Sequence, residues 1–464
     1  MGSWATIYIG DYSIDTEKNT LNSYYLSIFQ ESDLQITKFD TSKTEEFSKH
    51  FIIEEIEEDE LSSLEIVKLV CPISIVRDRL NLLGFTKTVS ELCFQAGLKI
   101  ATHSKQEDIK LNSQYTLHAN SEFILNRLSN EYEVLKSLTL ESWTNALPIV
   151  MELKRQSRSN YQHNYEEHSA LVNYMFDDMF FGLPLGDYGD YRHLLRLIID
   201  AFSESDELIY DLTDLVFGGW LDIEYLFDNS DEYISPIHDV SHRIIVITEG
   251  STDAIILERS LKLLFPHLAN YFRFLDFKGT NIAGGASALA HTVKAFAGVG
   301  IVNRIIALFD NDTGAEDALR TLKGINLPLN ILVLRYPEIE LAKNYPTIGP
   351  TGIAQMDVNG LAGSIELYLG DDVLRKSDGS LIPVQWKGYV QSLQKYQGEI
   401  ISKTDVQNTF WDKIKKCEDD PSLINNYDWS GIKDILNQMF TAFHKIDEDN
   451  ILRAISETVQ SRFD

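Results

Sequence analysis

Two short stretches gather the residues best able to do chemistry. Arg243 to Asp253 reads Arg-Ile-Ile-Val-Ile-Thr-Glu-Gly-Ser-Thr-Asp, and Arg304 to Asp312 reads Arg-Ile-Ile-Ala-Leu-Phe-Asp-Asn-Asp. Each opens with an apolar, β-branched run of the kind buried on both faces of a parallel sheet, and each run ends in carboxylates. In an open α/β sheet the crevice lies outside the carboxyl ends of the strands, so Glu249, Asp253, Asp310 and Asp312 are expected to converge there. Such acids repel one another unless cations neutralise them, and hard oxygen ligands suit Mg²⁺ or Mn²⁺. A helix-capping acid or an Asx-rich turn would account for either motif taken alone.

The elements that would position these acids follow from periodicity. Ala254 to Leu264 predicts a helix with Ile255, Ile256, Leu257, Leu261, Leu263 and Leu264 on its apolar face. Gly279, Gly284, Gly285 and Ser287 then precede a second apolar helix, Ala288 to Ala297. Strand, helix, strand, glycine-rich turn, helix and strand make a doubly wound α/β pattern. Ile331 to Arg335 is a further buried strand, and the stretch from Tyr336 to Asp357, rich in Pro and Gly, reads as a loop returning toward Glu366.

Glu-Gly-x-x-Asp after one strand and Asp-x-Asp after a later one resemble the signature of the Toprim domain of topoisomerases, primases and nucleases of the overcoming-lysogenization-defect class. The resemblance covers residues 241–370. It implies a Toprim fold with a mostly parallel sheet, Glu249 as a metal-linked acid/base, and Asp310 and Asp312, helped by Asp253, holding divalent metal. Gly363 to Leu369, Gly-Ser-Ile-Glu-Leu-Tyr-Leu, resembles the extra acidic motif of the nuclease branch and maps to Glu366. Lys403 falls where those nucleases often carry a downstream lysine.

Composition sets limits on partners. In 464 residues, 41 Lys and Arg face 70 Asp and Glu, a formal net charge of −29. So acidic a surface does not attract nucleic acid without local basic patches, metal or a partner subunit. The three cysteines, Cys71, Cys93 and Cys417, form no metal-ligand pair and suit a reducing cytosol. Met1 to Gly10 lacks the basic start and apolar core of a leader, and no apolar run reaches membrane-spanning length, so a cytoplasmic location is expected. No Gly-x-x-x-x-Gly-Lys-Ser/Thr loop occurs, and any nucleotide hydrolysis would fall to a partner ATPase or sensor chain.

From the start of the chain, Trp4 to Ile14 alternates in β fashion, Glu54 to Glu60 is an acidic run, and Leu64 to Val76 is apolar. The opening Met-Gly-Ser-Trp-Ala-Thr-Ile-Tyr-Ile-Gly-Asp-Tyr resembles the N-terminal domain found ahead of HEPN-type RNase or Toprim domains. That resemblance implies a sensor or adaptor module in immunity to foreign elements. Residues 1–102 are therefore read as an α+β module, 103–240 as mainly helical, 241–370 as the catalytic domain and 371–464 as a helical C-terminal region. Asp228 to Asp239, polar and containing a proline, is the best linker. In the last region Trp386, Tyr389, Leu393 and Tyr396 are placed on one helical face, a core or an oligomer interface, and Lys387, Lys395, Lys403, Lys413, Lys415 and Lys416 make the densest basic cluster.

These features favour metal-assisted hydrolysis of phosphodiester bonds in DNA or tRNA, with two ions about 4 Å apart able to activate a water and stabilise the leaving oxygen. Two other classes stay open. One is a non-catalytic adaptor of a defence complex. The other is a metal-independent HEPN-like RNase using Arg158 and His163, which fit the loose Arg-x4-His pattern.

Overall fold

Alternating residues from Trp4 onward build the first sheet. The computed structural model describes residues 2–39, 64–114, 121–157, 163–178, 181–182, 190–227, 243–275 and 284–463. Within these, β1 (Trp4–Ile9), β2 (Tyr12–Lys18), β3 (Leu34–Lys38), β4 (Glu65–Pro72) and β5 (Glu207–Asp211) form an antiparallel sheet in the order β2-β1-β5-β4-β3. Ile7, Ile9, Leu69, Cys71 and Tyr210 supply its buried side. The expected helical region from 103 to 240 thus contributes the central strand. Glu207 to Asp211 is too short for its alternation to stand out among helices, and its place is set by pairing with β1 and β4 far away in sequence.

Helices Lys87–Gln114, Ser121–Ser137 and Leu140–Ser157 follow β4 and the helix Ile73–Leu82. The last helix, His444–Phe463, returns to Lys87–Gln114, where Val89, Cys93, Ala96 and Ile100 pack against Ile451, Ala454 and Ile455. Residues 1–241 with 444–464 form one compact unit, and 242–443 form another. Glu54 to Glu60, Arg158 and the linker at 228–239 lie outside the described residues.

In the second unit, β6 (Ile244–Thr248), β7 (Phe272–Phe274), β8 (Ile305–Phe309) and β10 (Ile331–Arg335) form a wholly parallel sheet in the order β10-β8-β6-β7. Its apolar strands are covered by helices, as a parallel sheet requires. Ile247, Ile305, Ala307 and Phe309 pack with Leu289 and Val293 of helix Ala286–Val299 and with Ala315 and Ala318 of helix Thr313–Leu319. A two-residue strand β9 (Asn311–Asp312) follows β8 directly.

Downstream the structure departs from expectation. Tyr336 to Asp357 contains a hairpin, β11 (Tyr345–Gly349) and β12 (Gly352–Met356), where a loop returning toward Glu366 is expected. A short β13 (Ala362–Gly363) pairs with β9. Residues 371–464 are not uniformly helical, since β14 (Val384–Val390) and β15 (Lys395–Ile400) form a second hairpin and the sheet order is β12-β11-β14-β15. The spacing of Trp386, Tyr389 and Tyr396 mimics a helix because a register shift between Trp386 and Gly388 adds one residue to the strand period. Tyr389 and Tyr396 are cross-strand partners with ring centroids 5.0 Å apart.

Candidate active site

The acids meet where neighbouring parallel strands end. Thr248 pairs with Leu308, so Glu249 leaves β6 opposite Phe309, one residue before Asp310. The Asp310 amide donates to Glu249 Oε1 at 2.9 Å, and the Ala286 amide, at the start of helix Ala286–Val299, donates to the same carboxylate. Gly285 makes that approach feasible. Its φ is +100°, its amide donates to the Glu249 carbonyl at 2.7 Å, and a side chain there would be strained. Asp253, one turn into helix Ser251–Leu264, accepts the Gly250 amide at 3.1 Å and thus also caps its helix.

Asp312 is held from two directions. Its Oδ1 accepts the Ala315 amide at 2.8 Å, capping helix Thr313–Leu319, while Gln397 Nε2 on β15 donates to Oδ2 at 2.5 Å. The Gln397 Oε1 accepts the Gly314 amide at 2.8 Å. Glu366 is brought up by β13, whose Gly363 packs so tightly on β9 that a Cβ would lie 2.5 Å from the Asn311 carbonyl oxygen. The Glu366 side chain is 3 % exposed and accepts from Ser364 Oγ at 2.6 Å and Gln407 Nε2 at 2.7 Å. Lys403 Nζ stands 3.6 Å from Glu366 Oε2 and 3.4 Å from Glu399 Oε1.

Burial pushes the Glu249 carboxyl up to about 7; amides from Asp310 and Ala286 oppose this, while the charges of Asp312 and Asp253 add to it. Asp253 is likewise raised to about 7, by burial and then by Glu366, against the Gly250 amide and Lys403. Asp310 is held well above the usual carboxylate range by burial and by Asp253, Glu249, Asp312 and Glu366 together. For Lys403, burial works against the charge, and Glu366, Glu399 and Asp310 outweigh it and hold the ammonium above its ordinary value. Burial is the leading cause at all three carboxyls, and mutual repulsion among the acids adds to it.

A divalent ion fits this donor set in chemistry and in sign. The oxygens are hard, the charge is in excess, and Asp310 Oδ1 is buried with no hydrogen-bond partner. Among the described residues no three acidic, histidine or cysteine side chains already stand closed around one point, so binding would require these carboxylates to rotate toward a shared centre.

The structure therefore brings Glu249, Asp253, Asp310, Asp312, Glu366 and Lys403 into one electrostatic neighbourhood. Sequence reasoning missed Gln397, Gln407 and Ser364, neutral residues with no motif, and Tyr336, whose hydroxyl is buried without a partner beside the acids. His163 lies in the other unit, its Nε2 2.8 Å from Asn173 Oδ1 and its ring stacked on Phe176 at 4.0 Å.

Fold and site together define a mixed α/β protein with an acid cluster at the ends of a parallel sheet. Residues 1–234 match the family described as HEPN/Toprim N-terminal domain 1, and the chain belongs to that family. Membership points to a nuclease-related, defence-type role. No curated protein and no solved structure matches the chain. Among the described residues no helix is long and apolar enough to cross a membrane.

Proposed function

We propose that the protein is a divalent-metal-dependent endonuclease with a Toprim-type catalytic domain at 241–370, acting on DNA or tRNA as the effector of a prokaryotic anti-phage system in the cytoplasm. The observation that carries this is the juxtaposition of Glu249 and Asp310 at adjacent strand ends, their carboxyls raised by burial and then by the neighbouring acids, and Asp310 Oδ1 left without a partner. Crowded, desolvated acids of this kind cluster at functional sites.

Mg²⁺ or Mn²⁺, when bound, would polarise a phosphodiester and lower the pKa of a water. Asp310 and Asp312 would hold it, with Asp253 and Glu366 completing the donor set. Glu249, whose carboxyl is raised to about 7, can take the proton from an attacking water near neutral pH. Lys403, fixed beside Glu366, presents a cation to a phosphate. An adaptor role is favoured by one observation, that no ready-made metal cage exists among the described residues.

The test is incubation of the protein with plasmid DNA and with total tRNA in Mg²⁺, Mn²⁺ or EDTA, alongside Glu249→Gln and His163→Ala. Cleavage that needs metal and Glu249 but not His163 supports the nuclease. Equal activity in Glu249→Gln excludes it, and dependence on His163 without metal points to the HEPN-like chemistry. Silence from a folded protein that also ignores metal favours the adaptor.

A further inference from the structure

Three strands of the parallel sheet end at the acid cluster, and the third supplies a residue that the acids alone do not account for. Arg335 of β10 pairs in register with Phe309 of β8, and the Tyr336 amide donates to the Phe309 carbonyl at 2.9 Å. Tyr336 therefore leaves β10 directly beside Asp310, and residues paired in parallel register project to the same side of a sheet. Tyr336 is 2 % exposed, and its hydroxyl has no hydrogen-bond partner. Asp310 Oδ1, at the neighbouring position, is also buried and unpartnered.

Two such orphans at adjacent positions call for one explanation. A buried hydroxyl or carboxylate oxygen left unpaired carries the full cost of its desolvation, and native proteins resolve this with a partner or an ordered water. Tyr368 does not serve, because its own hydroxyl is committed to the Pro337 carbonyl at 2.7 Å while its ring packs on Tyr336 at 5.2 Å. The charged groups acting on that hydroxyl are the carboxylates of Asp253, Asp310 and Glu249, which supply acceptors and attract a small dipolar donor. Buried waters occupy polar places with two or more such partners.

We infer that Tyr336 belongs to the acid site and that its hydroxyl and Asp310 Oδ1 together hold one ordered water. The tyrosine hydroxyl donates to that water, and the water donates to the aspartate. Its second hydrogen remains for a neighbouring carboxylate, so the water is oriented by the protein alone. The water site stands on this geometry; its use in hydrolysis rests on the nuclease proposal.

The test is a high-resolution crystal structure of the metal-free wild type and of Tyr336→Phe, which keeps the ring and deletes the oxygen. A solvent peak within about 2.7–3.2 Å of both atoms is expected in the wild type and is expected to vanish or move in the variant. Absence of the peak in the wild type overturns the inference, as does its unchanged presence in Tyr336→Phe; should the variant fail to fold, the wild-type structure decides. Cleavage is assayed separately. Turnover about tenfold lower with KM unchanged in Tyr336→Phe supports the water's use, the loss expected for one hydrogen bond in the reacting state. Wild-type turnover in the variant overturns that use, and a folded wild type that cleaves nothing and ignores metal removes the nuclease proposal while the solvent peak still decides the site.

Discussion

The Asp310 amide donates to Glu249 Oε1 at 2.9 Å, tying the end of one parallel strand to the acid at the end of its neighbour. The backbone thus fixes Glu249 while the Asp310 carboxylate itself stays unpartnered at Oδ1. Position is settled by main chain, and charge is left unbalanced.

That imbalance makes Asp310→Asn a stabilising change in the absence of metal. Removing one of several mutually repelling carboxyls should strengthen the metal-free protein by on the order of 1 kcal/mol, roughly 3 °C in the melting temperature of a unit this size. Differential scanning fluorimetry at pH 8 should also find that the Mn²⁺-induced rise of the wild type is lost. A lower melting temperature in EDTA, or an undiminished Mn²⁺ response, would count against the crowded-acid interpretation.

Gln397 is the hinge between β15 and Asp312. Gln397→Met keeps its length and deletes both polar contacts, leaving the Gly314 amide and Asp312 Oδ2 without it. We expect a loss of about 1–2 kcal/mol and faster hydrogen exchange at Gly314, measured by urea titration and by mass spectrometry or NMR. Gln397→Glu should be worse, since it sets a carboxylate against Asp312. Equal stability in both variants would show that the clamp is incidental.

The first unit has its own electrostatic lock. Arg192 Nε and Nη2 reach the two Asp190 oxygens at 2.9 and 2.6 Å, and the guanidinium lies 4.2 Å from the centre of the Phe85 ring. Burial raises the Asp190 carboxyl, but the Arg192 bonds and charge prevail and hold it below the usual range. A depressed folded pKa stabilises the protein above the unfolded value near 3.8, and that stabilisation is lost as pH falls through the lower folded value. Acid denaturation should therefore shift in Asp190→Asn, which at neutral pH strands a buried cation and costs about 3–5 kcal/mol. An unchanged melting temperature at pH 7 would refute the lock.

How much of this was legible depended on how local each signal was. β6 and β8 announce themselves because buried parallel strands are continuous apolar runs and the acids follow at once. Glu366 was readable from its motif, yet its burial needed Gly363 against β9, a contact between distant segments. β5 and the β14–β15 hairpin were not legible, the first because its partners lie over a hundred residues away and the second because a bulge disguised its period. Gln397 and Tyr336 matter through register, and register is not written in residue type.

Lys413 shows the same limit for charge. Counted in sequence it joins a basic cluster suited to phosphate, but in the fold it is 3 % exposed. Its Nζ donates to the Leu369 carbonyl and to Asp372 Oδ1, each at 3.0 Å, and to the Asp428 carbonyl, and it lies 4.2 Å from the Trp429 ring centre. Burial lowers its pKa against the pull of Asp372. The ammonium therefore joins the segment after Glu366 to the turn before helix Ser430–Phe440. Lys413→Met should retain the aliphatic stem but leave these acceptors unpaired, costing about 2–4 kcal/mol by urea titration. Hydrogen exchange across 430–440 should accelerate, while Lys415→Gln, a change at an exposed lysine on the same helix, should alter stability by no more than about 0.5 kcal/mol. If the two variants behaved alike, Lys413 would be a surface charge in solution and its anchoring role would fall.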